Sequence, residues 1–193
     1  MSTDLIVVLV VLGLLAFVVI GIFNKLVRLR NQVDNAFAQI DVQLQRRYDL
    51  IPNLVEVAKT YMAHERETLE AVLQARNGAK AAADQAKASG DTGALAAAEA
   101  TLGGAMMQLH AVAEAYPDLK ADKQLSELNE ELSTTENRIG FARQAFNDGV
   151  TVYNTAQQVF PAVLFASAFG HKARDEWVVE DKEAKKAVKV SFD

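Results

Sequence analysis

Few residues in this chain are of a type and spacing that could carry chemistry. There are three histidines, His64, His110 and His171, and no cysteine. A hydrolytic metal centre needs two histidines one helical turn apart, or carboxylates joined to a Glu-x-x-His unit, so that ligands converge from one face. No histidine here is within helical reach of another. His64 has Glu67 and His110 has Glu114 a turn later, spacings that make single ion pairs on a solvated helix face. The lack of cysteine removes disulfides, thiolate metal sites and a thiol nucleophile. Ser89, Ser126, Ser133, Ser167 and Ser191 have no neighbourhood suggestive of a nucleophile. HExxH, GxSxG, a P-loop, GxGxxG and CxxC are all missing. The expectation is a protein that is not an enzyme and carries no cofactor and no metal.

A second class of polar residues lies beside apolar stripes. Asn31, Asn35 and Gln39 accompany Phe37 and Ile40, while Asn137, Arg143, Asn147 and Asn154 accompany Ile139, Phe146 and Tyr153. Buried Asn or Arg in a helical bundle fixes register and partner choice at some cost in stability. The alternative is a polar groove for a ligand or a partner helix. Arg46-Arg47-Tyr48 sets a basic pair beside an aromatic, a combination that suits lipid headgroups or nucleic acid, or else an internal pairing with an acidic helix face at Glu130, Glu131 and Glu136. A formal charge of −5 argues against a nucleic-acid partner, since neutralising phosphates takes a basic surface.

The elements that hold these residues follow from where the apolar side chains fall. From Leu5 to Phe23 there is no charge, and only Gly13 and Gly21 interrupt the apolar run. At about 1.5 Å per residue that segment is roughly 28 Å long as a helix, the thickness of a bilayer's hydrocarbon core. Asp4 is the only charged side chain before it, and Lys25, Arg28 and Arg30 follow it. A cleavable signal peptide would have the basic residues first, a shorter apolar core and a small-residue cleavage site. Residues 1–23 therefore read as a membrane anchor. The positive-inside rule keeps the three cations on the cytoplasmic side, with the N-terminus outside and the rest of the chain in the cytoplasm.

The remainder is all-α in pattern. The 193 residues include 32 alanines against 10 glycines and 3 prolines, a mix that leans to helix. Phe37, Leu44, Ile51, Ala58 and Val72 share one seven-residue register, which Glu65 interrupts, and the companion positions shift near Pro52. Asp49 as an N-cap with Pro52 in the first turn predicts a kink or break over residues 49–52. Ser89-Gly90-Asp91-Thr92-Gly93 predicts a helical hairpin. Leu95, Leu102, Leu109 and Tyr116 form the next seam, which stops at Pro117. Asp122 is placed to cap a long helix carrying Leu125, Leu132, Ile139, Phe146, Tyr153 and Phe160, with the small companions Thr135, Ala142, Gly149 and Ala156. Residues 24–160 thus read as an antiparallel, up-and-down helical bundle with long coiled-coil-like helices, of three or four helices depending on whether the first stretch is one helix or two.

Pro161 to Gly170 is a second apolar run, too short to span. Three placements are open for it: packing on the bundle, docking on the membrane surface, or an oligomer contact, the last two through Val163, Leu164, Phe165 and Phe169. Residues 171–193 are of mixed charge and read as a flexible tail, with Val188 to Phe192 as a candidate extended ligand.

The stretch from Leu29 to Val55, with Arg46-Arg-Tyr-Asp-Leu-Ile-Pro-Asn-Leu-Val55 at its end, resembles the signature of the LemA family of bacterial membrane proteins. So do Tyr116-Pro-Asp-Leu119, Glu136-Asn-Arg-Ile139, Ala142-Arg143, Phe146-Asn147 and Tyr153-Asn154. The likeness covers roughly residues 24 to 160. Phe23-Asn24 stands where members often have Tyr-Asn, and Gly140 where Ala is common. The resemblance implies an N-terminal anchor in the bacterial inner membrane, a cytoplasmic body and a four-helix bundle, with no known catalysis; one magnetosome-associated branch is linked to membrane shaping. The expected function is a single-pass membrane-anchored structural protein that meets the lipid bilayer, self-associates as a homo-oligomer, or docks a membrane-protein partner of unknown identity. The alternative is an oligomer that shapes the membrane through residues 161–170, and an enzyme comes third.

Overall fold

The computed structural model describes residues 3–178. They form five α-helices, α1 (Thr3–Tyr61), α2 (Arg66–Ser89), α3 (Gly93–Ala113), α4 (Pro117–Lys120) and α5 (Lys123–Gln158), followed by a 3-10 turn at Ala162–Leu164. No strand occurs among the described residues. The packing of the described residues divides into two units, one made from residues 3–43 with Asn137–Glu176, the other from Leu44–Glu136 with Trp177 and Val178. Of the prediction at residues 49–52, the break does not occur. Pro52 lies inside α1, which is unbroken to Tyr61. Pro52 has no N–H to give the carbonyl of Tyr48 four residues back. Arg76 from α2 stands in for it, its Nε donating to Tyr48 O at 2.8 Å. Asp49 caps nothing; it accepts from Gln45 Nε2 within the same helix. The break comes instead at Met62–Glu65, beside the charged residue that interrupts the apolar register, so the body has four long helical stretches rather than three.

In the unit from Leu44 to Glu136, α2 and α3 form the expected hairpin. Gly90 takes φ 77°, the left-handed conformation that glycine adopts without strain, and its N–H returns to Ala86 O at 2.7 Å. Asp91 Oδ1 then accepts from the Gly93 N–H at 2.9 Å to start α3. The apolar stripes fill the core: Leu44, Ile51, Leu54, Val55 and Ala58 of α1, Val72, Ala79, Ala83 and Ala86 of α2, Leu95, Leu102 and Leu109 of α3, and Leu125 and Leu132 of α5 are all buried. Asp122 caps α5 as expected, Oδ1 accepting from the Leu125 N–H at 2.9 Å. That bond holds the Asp122 carboxyl below its ordinary pKa, aided by the Tyr61 hydroxyl, which donates to Oδ2 at 2.9 Å.

In the other unit, α1 from Leu26 to Ile40 and α5 from Ile139 to Ala156 run antiparallel. Val33 faces Gly149, where a Cβ would lie 4.0 Å from the Val33 Cα, so the small companion position does allow close approach. The Phe37 and Phe146 rings meet at 5.8 Å. Leu26 clusters with Ala156 and Ala166, with Ile22 and Leu29 packed against them. The heptad seam of α5 is buried at Leu125, Leu132, Ile139, Phe146 and Tyr153. Phe160 departs from it: the helix ends at Gln158, the chain turns, and the ring is exposed.

Candidate functional site

The predicted polar residues separate by burial. Asn31, Asn35 and Asn137 are exposed, so none of them fixes register by burial within this chain, while Arg143 and Asn147 are half-buried. Asn154 acts on the backbone instead. Its Nδ2 donates to Arg174 O at 2.8 Å, and its Oδ1 accepts from Arg174 N at 2.9 Å, as a paired strand would. That twin bond holds a strap, residues 171–176, against α5. Arg174 Nη2 reaches Asp34 on α1 at 2.6 Å, and Thr151 donates to Glu176 Oε1 at 2.8 Å. The tail expected to be flexible from residue 171 is thus held along residues 171–176, because Asn154 of α5 pairs with its backbone at Arg174 and side-chain contacts flank that pairing. The Val188 to Phe192 segment lies outside the described residues.

His171 is buried at the start of this strap, its Nδ1 2.9 Å from the Tyr153 hydroxyl. Burial, with the charge of Arg30, pushes the imidazole pKa down. Burial also pushes the Tyr153 phenol up, against the smaller opposing pull of Arg30 and Arg174. Both shifts favour the neutral pair, in which the hydroxyl donates to Nδ1.

The basic pair resolves into two internal contacts. Arg46 pairs with Glu131 on α5, its Nε donating at 3.1 Å, which is the internal pairing anticipated from the sequence. Arg47 turns to Glu99 on α3 at 2.8 Å, and Tyr48 donates to the other oxygen of the same carboxylate at 2.6 Å. Glu99 is buried with both partners in place; stranding its carboxylate there by removing them would cost about 3–5 kcal/mol. Glu114 meets Lys120 at 2.6 Å. Among the described residues, no three His, Asp or Glu side chains converge as a metal site.

Two apolar surfaces stand open. On the unit containing the start of α1, Val42 (63% exposed) and Phe141 (74%) flank a groove of about 630 Å³ floored by Ala38, Ala142 and Ala145. Gln43 lines the same groove, its Oε1 shielded from water and, among the described residues, without a hydrogen-bond partner. Sequence reasoning missed this pair, although Val42 and Phe141 are apolar residues out of register on otherwise polar faces, which was the available signal. The other surface is the Pro161–Gly170 run. Ala162 and Ala166 are buried and Phe165 and Phe169 are half-buried, whereas Val163 and Leu164 are exposed. Lys25, Arg28 and Arg30 are exposed as well, just past a helical segment that is long and apolar enough to cross a membrane, none of it buried in the structure.

This arrangement has relatives. The chain is 27% identical over 183 aligned residues to a protein named magnetosome protein MamQ from Magnetospirillum gryphiswaldense, an alignment that covers 84% of this chain and 67% of that one. A family model described as LemA family matches residues 36–192, which takes in α1 from residue 36 onward, α2 to α5 and the strap, and leaves out the apolar start of α1. By that match, the chain belongs to the LemA family.

Proposed function

We propose that this protein is a single-pass, membrane-anchored interaction protein that performs no catalysis. Its N-terminus lies outside the inner membrane, and its helical body self-associates or receives a partner helix at the cytoplasmic face. The observation that carries this reading is the exposed groove at Val42 and Phe141. Two large exposed apolar side chains beside three alanines make a surface that is unfavourable in water and gains packing under a second helix. Family membership and the apolar segment of α1 support the anchor.

The cysteine-free chain makes the test direct. Full-length protein bearing Phe141→Cys, treated in native membranes with a thiol cross-linker, is expected to give an adduct. A mass of twice 21.0 kDa identifies self-association and any other mass a partner. Phe141→Glu is expected to abolish the same adduct when a reporter cysteine is placed at Ala145. Strictly uncross-linked protein in the native membrane overturns the reading. A second reading, in which an oligomer of this chain shapes the membrane, is favoured by the exposed Val163 and Leu164 and by the likeness to a magnetosome protein.

A further inference from the structure

The apolar run after α5 is neither wholly core nor wholly surface. Its inner side is fixed to α1 at the end of the apolar segment: the Phe169 ring meets Phe23 edge-on at 5.2 Å, and Ala166 clusters with Leu26, against which Ile22 packs. Phe165 stacks on Phe169 at 6.1 Å, and the Ala166 carbonyl accepts from the His171 N–H at 3.0 Å, so the turn is braced from both ends. Its outer side is bare: Phe160 is 80% exposed, Leu164 65% and Val163 50%. These contacts set the turn beside residues 22–26, where α1 changes from uncharged apolar residues to Lys25 and Arg28. Lys172, exposed, follows directly on the His171 ring that also approaches Phe23, so cations lie on both chain segments at this level.

A bare apolar turn with a cationic margin, held at the root of an apolar helix, has the composition of an interfacial membrane contact. We propose that Phe160, Val163 and Leu164 form a foot that inserts into the leaflet from which α1 emerges, at the boundary between acyl chains and headgroups, with Lys25, Arg28 and Lys172 facing anionic phosphates. The occupant of this surface is a phospholipid leaflet, because the surface is continuous with the segment proposed to cross it. The inference rests on the membrane-anchored reading and deepens it: the body is seated on the bilayer at a second point, which fixes its rotation about α1 relative to the membrane.

The test uses the full chain in vesicles of phosphatidylethanolamine and phosphatidylglycerol, with an environment-sensitive fluorophore on single cysteines introduced by Leu164→Cys, Val163→Cys, Leu12→Cys or Met107→Cys. With the inference correct, the labels at 163, 164 and 12 emit to the blue and lose intensity when lipids doxyl-labelled high on the acyl chain are included. The label at the exposed Met107 responds only to aqueous iodide. Labels at 163 and 164 that respond only to iodide, with Leu12→Cys quenched by lipid, overturn the foot and leave the anchor standing. A Leu12→Cys label open to iodide overturns the anchor and the foot together. Labels at 163 and 164 shielded from both quenchers mean that protein covers the turn, a second copy being the plain candidate, and this too overturns the lipid contact.

Discussion

At the scale of single residues, the side chains with most leverage are those that join a helix to something distant in sequence. His171 is one. Its imidazole is buried against Tyr153 and is held neutral by burial and by Arg30. A depressed folded pKa means that the released strap binds a proton more readily than the docked one. The docked state is therefore unaffected by pH above the ordinary histidine value of about 6.5 and weakens as pH falls below it, down to the lower folded pKa. Hydrogen exchange of amides 171–176, corrected for intrinsic rates, is expected to show less protection near pH 5.5 than near pH 7.5, both approximate choices on either side of that value. His171→Gln, which cannot charge, is expected to lose the difference. Equal protection at the two pH values in the unaltered chain would show that the strap is held by the Asn154 and Asp34 contacts alone.

At the scale of elements, α1 poses the clearest physical question, since a proline inside its C-terminal part neither ends nor divides it. If Arg76 replaces the hydrogen bond that Pro52 cannot make, the two residues must be energetically coupled. Arg76→Met removes the donor to Tyr48 O, and leaving a buried carbonyl short of a partner costs about 1–3 kcal/mol. With Pro52→Ala in the background, the new N–H at residue 52 can close the ordinary helical bond, and the same Arg76→Met is expected to cost about 1 kcal/mol less. Additive effects in a thermal double-mutant cycle would sink this account. The case also explains what the sequence could tell. The hairpin at Gly90 and the cap at Asp122 were legible because each is satisfied by its own neighbours, Ala86 and Leu125. Pro52 was misread as a boundary because its compensation comes from another helix, and the real boundary at Met62–Glu65 contains neither glycine nor proline. The strap was misread for the same reason: its mixed charge says tail, and only Asn154, on a different element, says otherwise.

For the whole molecule, the open question is which compartment the body occupies, because that decides which partners can reach the Val42 and Phe141 groove. Charge favours the proposed orientation over its reverse. Asp4 stands ahead of the apolar run, and Lys25, Arg28 and Arg30 stand behind it. Moving an elementary charge against a potential of about 100 mV costs about 2.3 kcal/mol, so three cations together oppose export of the body by roughly 7 kcal/mol, while Asp4 is drawn outward. In spheroplasts, Thr3→Cys is expected to react with a membrane-impermeant maleimide from outside, and Met107→Cys only after the membrane is opened. Replacing Lys25, Arg28 and Arg30 by Gln while adding lysines ahead of Leu5 is expected to give a mixed or inverted population, with Met107→Cys labelled in closed spheroplasts. Outside labelling of Met107→Cys in the otherwise unaltered chain would place the groove on the far side of the membrane and remove cytoplasmic partners from consideration. The cations therefore have two separable effects. In the proposed arrangement they select, as a set, the orientation during insertion, and afterwards Lys25 and Arg28, adjoining the turn at Val163 and Leu164, hold that turn against the anionic side of the leaflet.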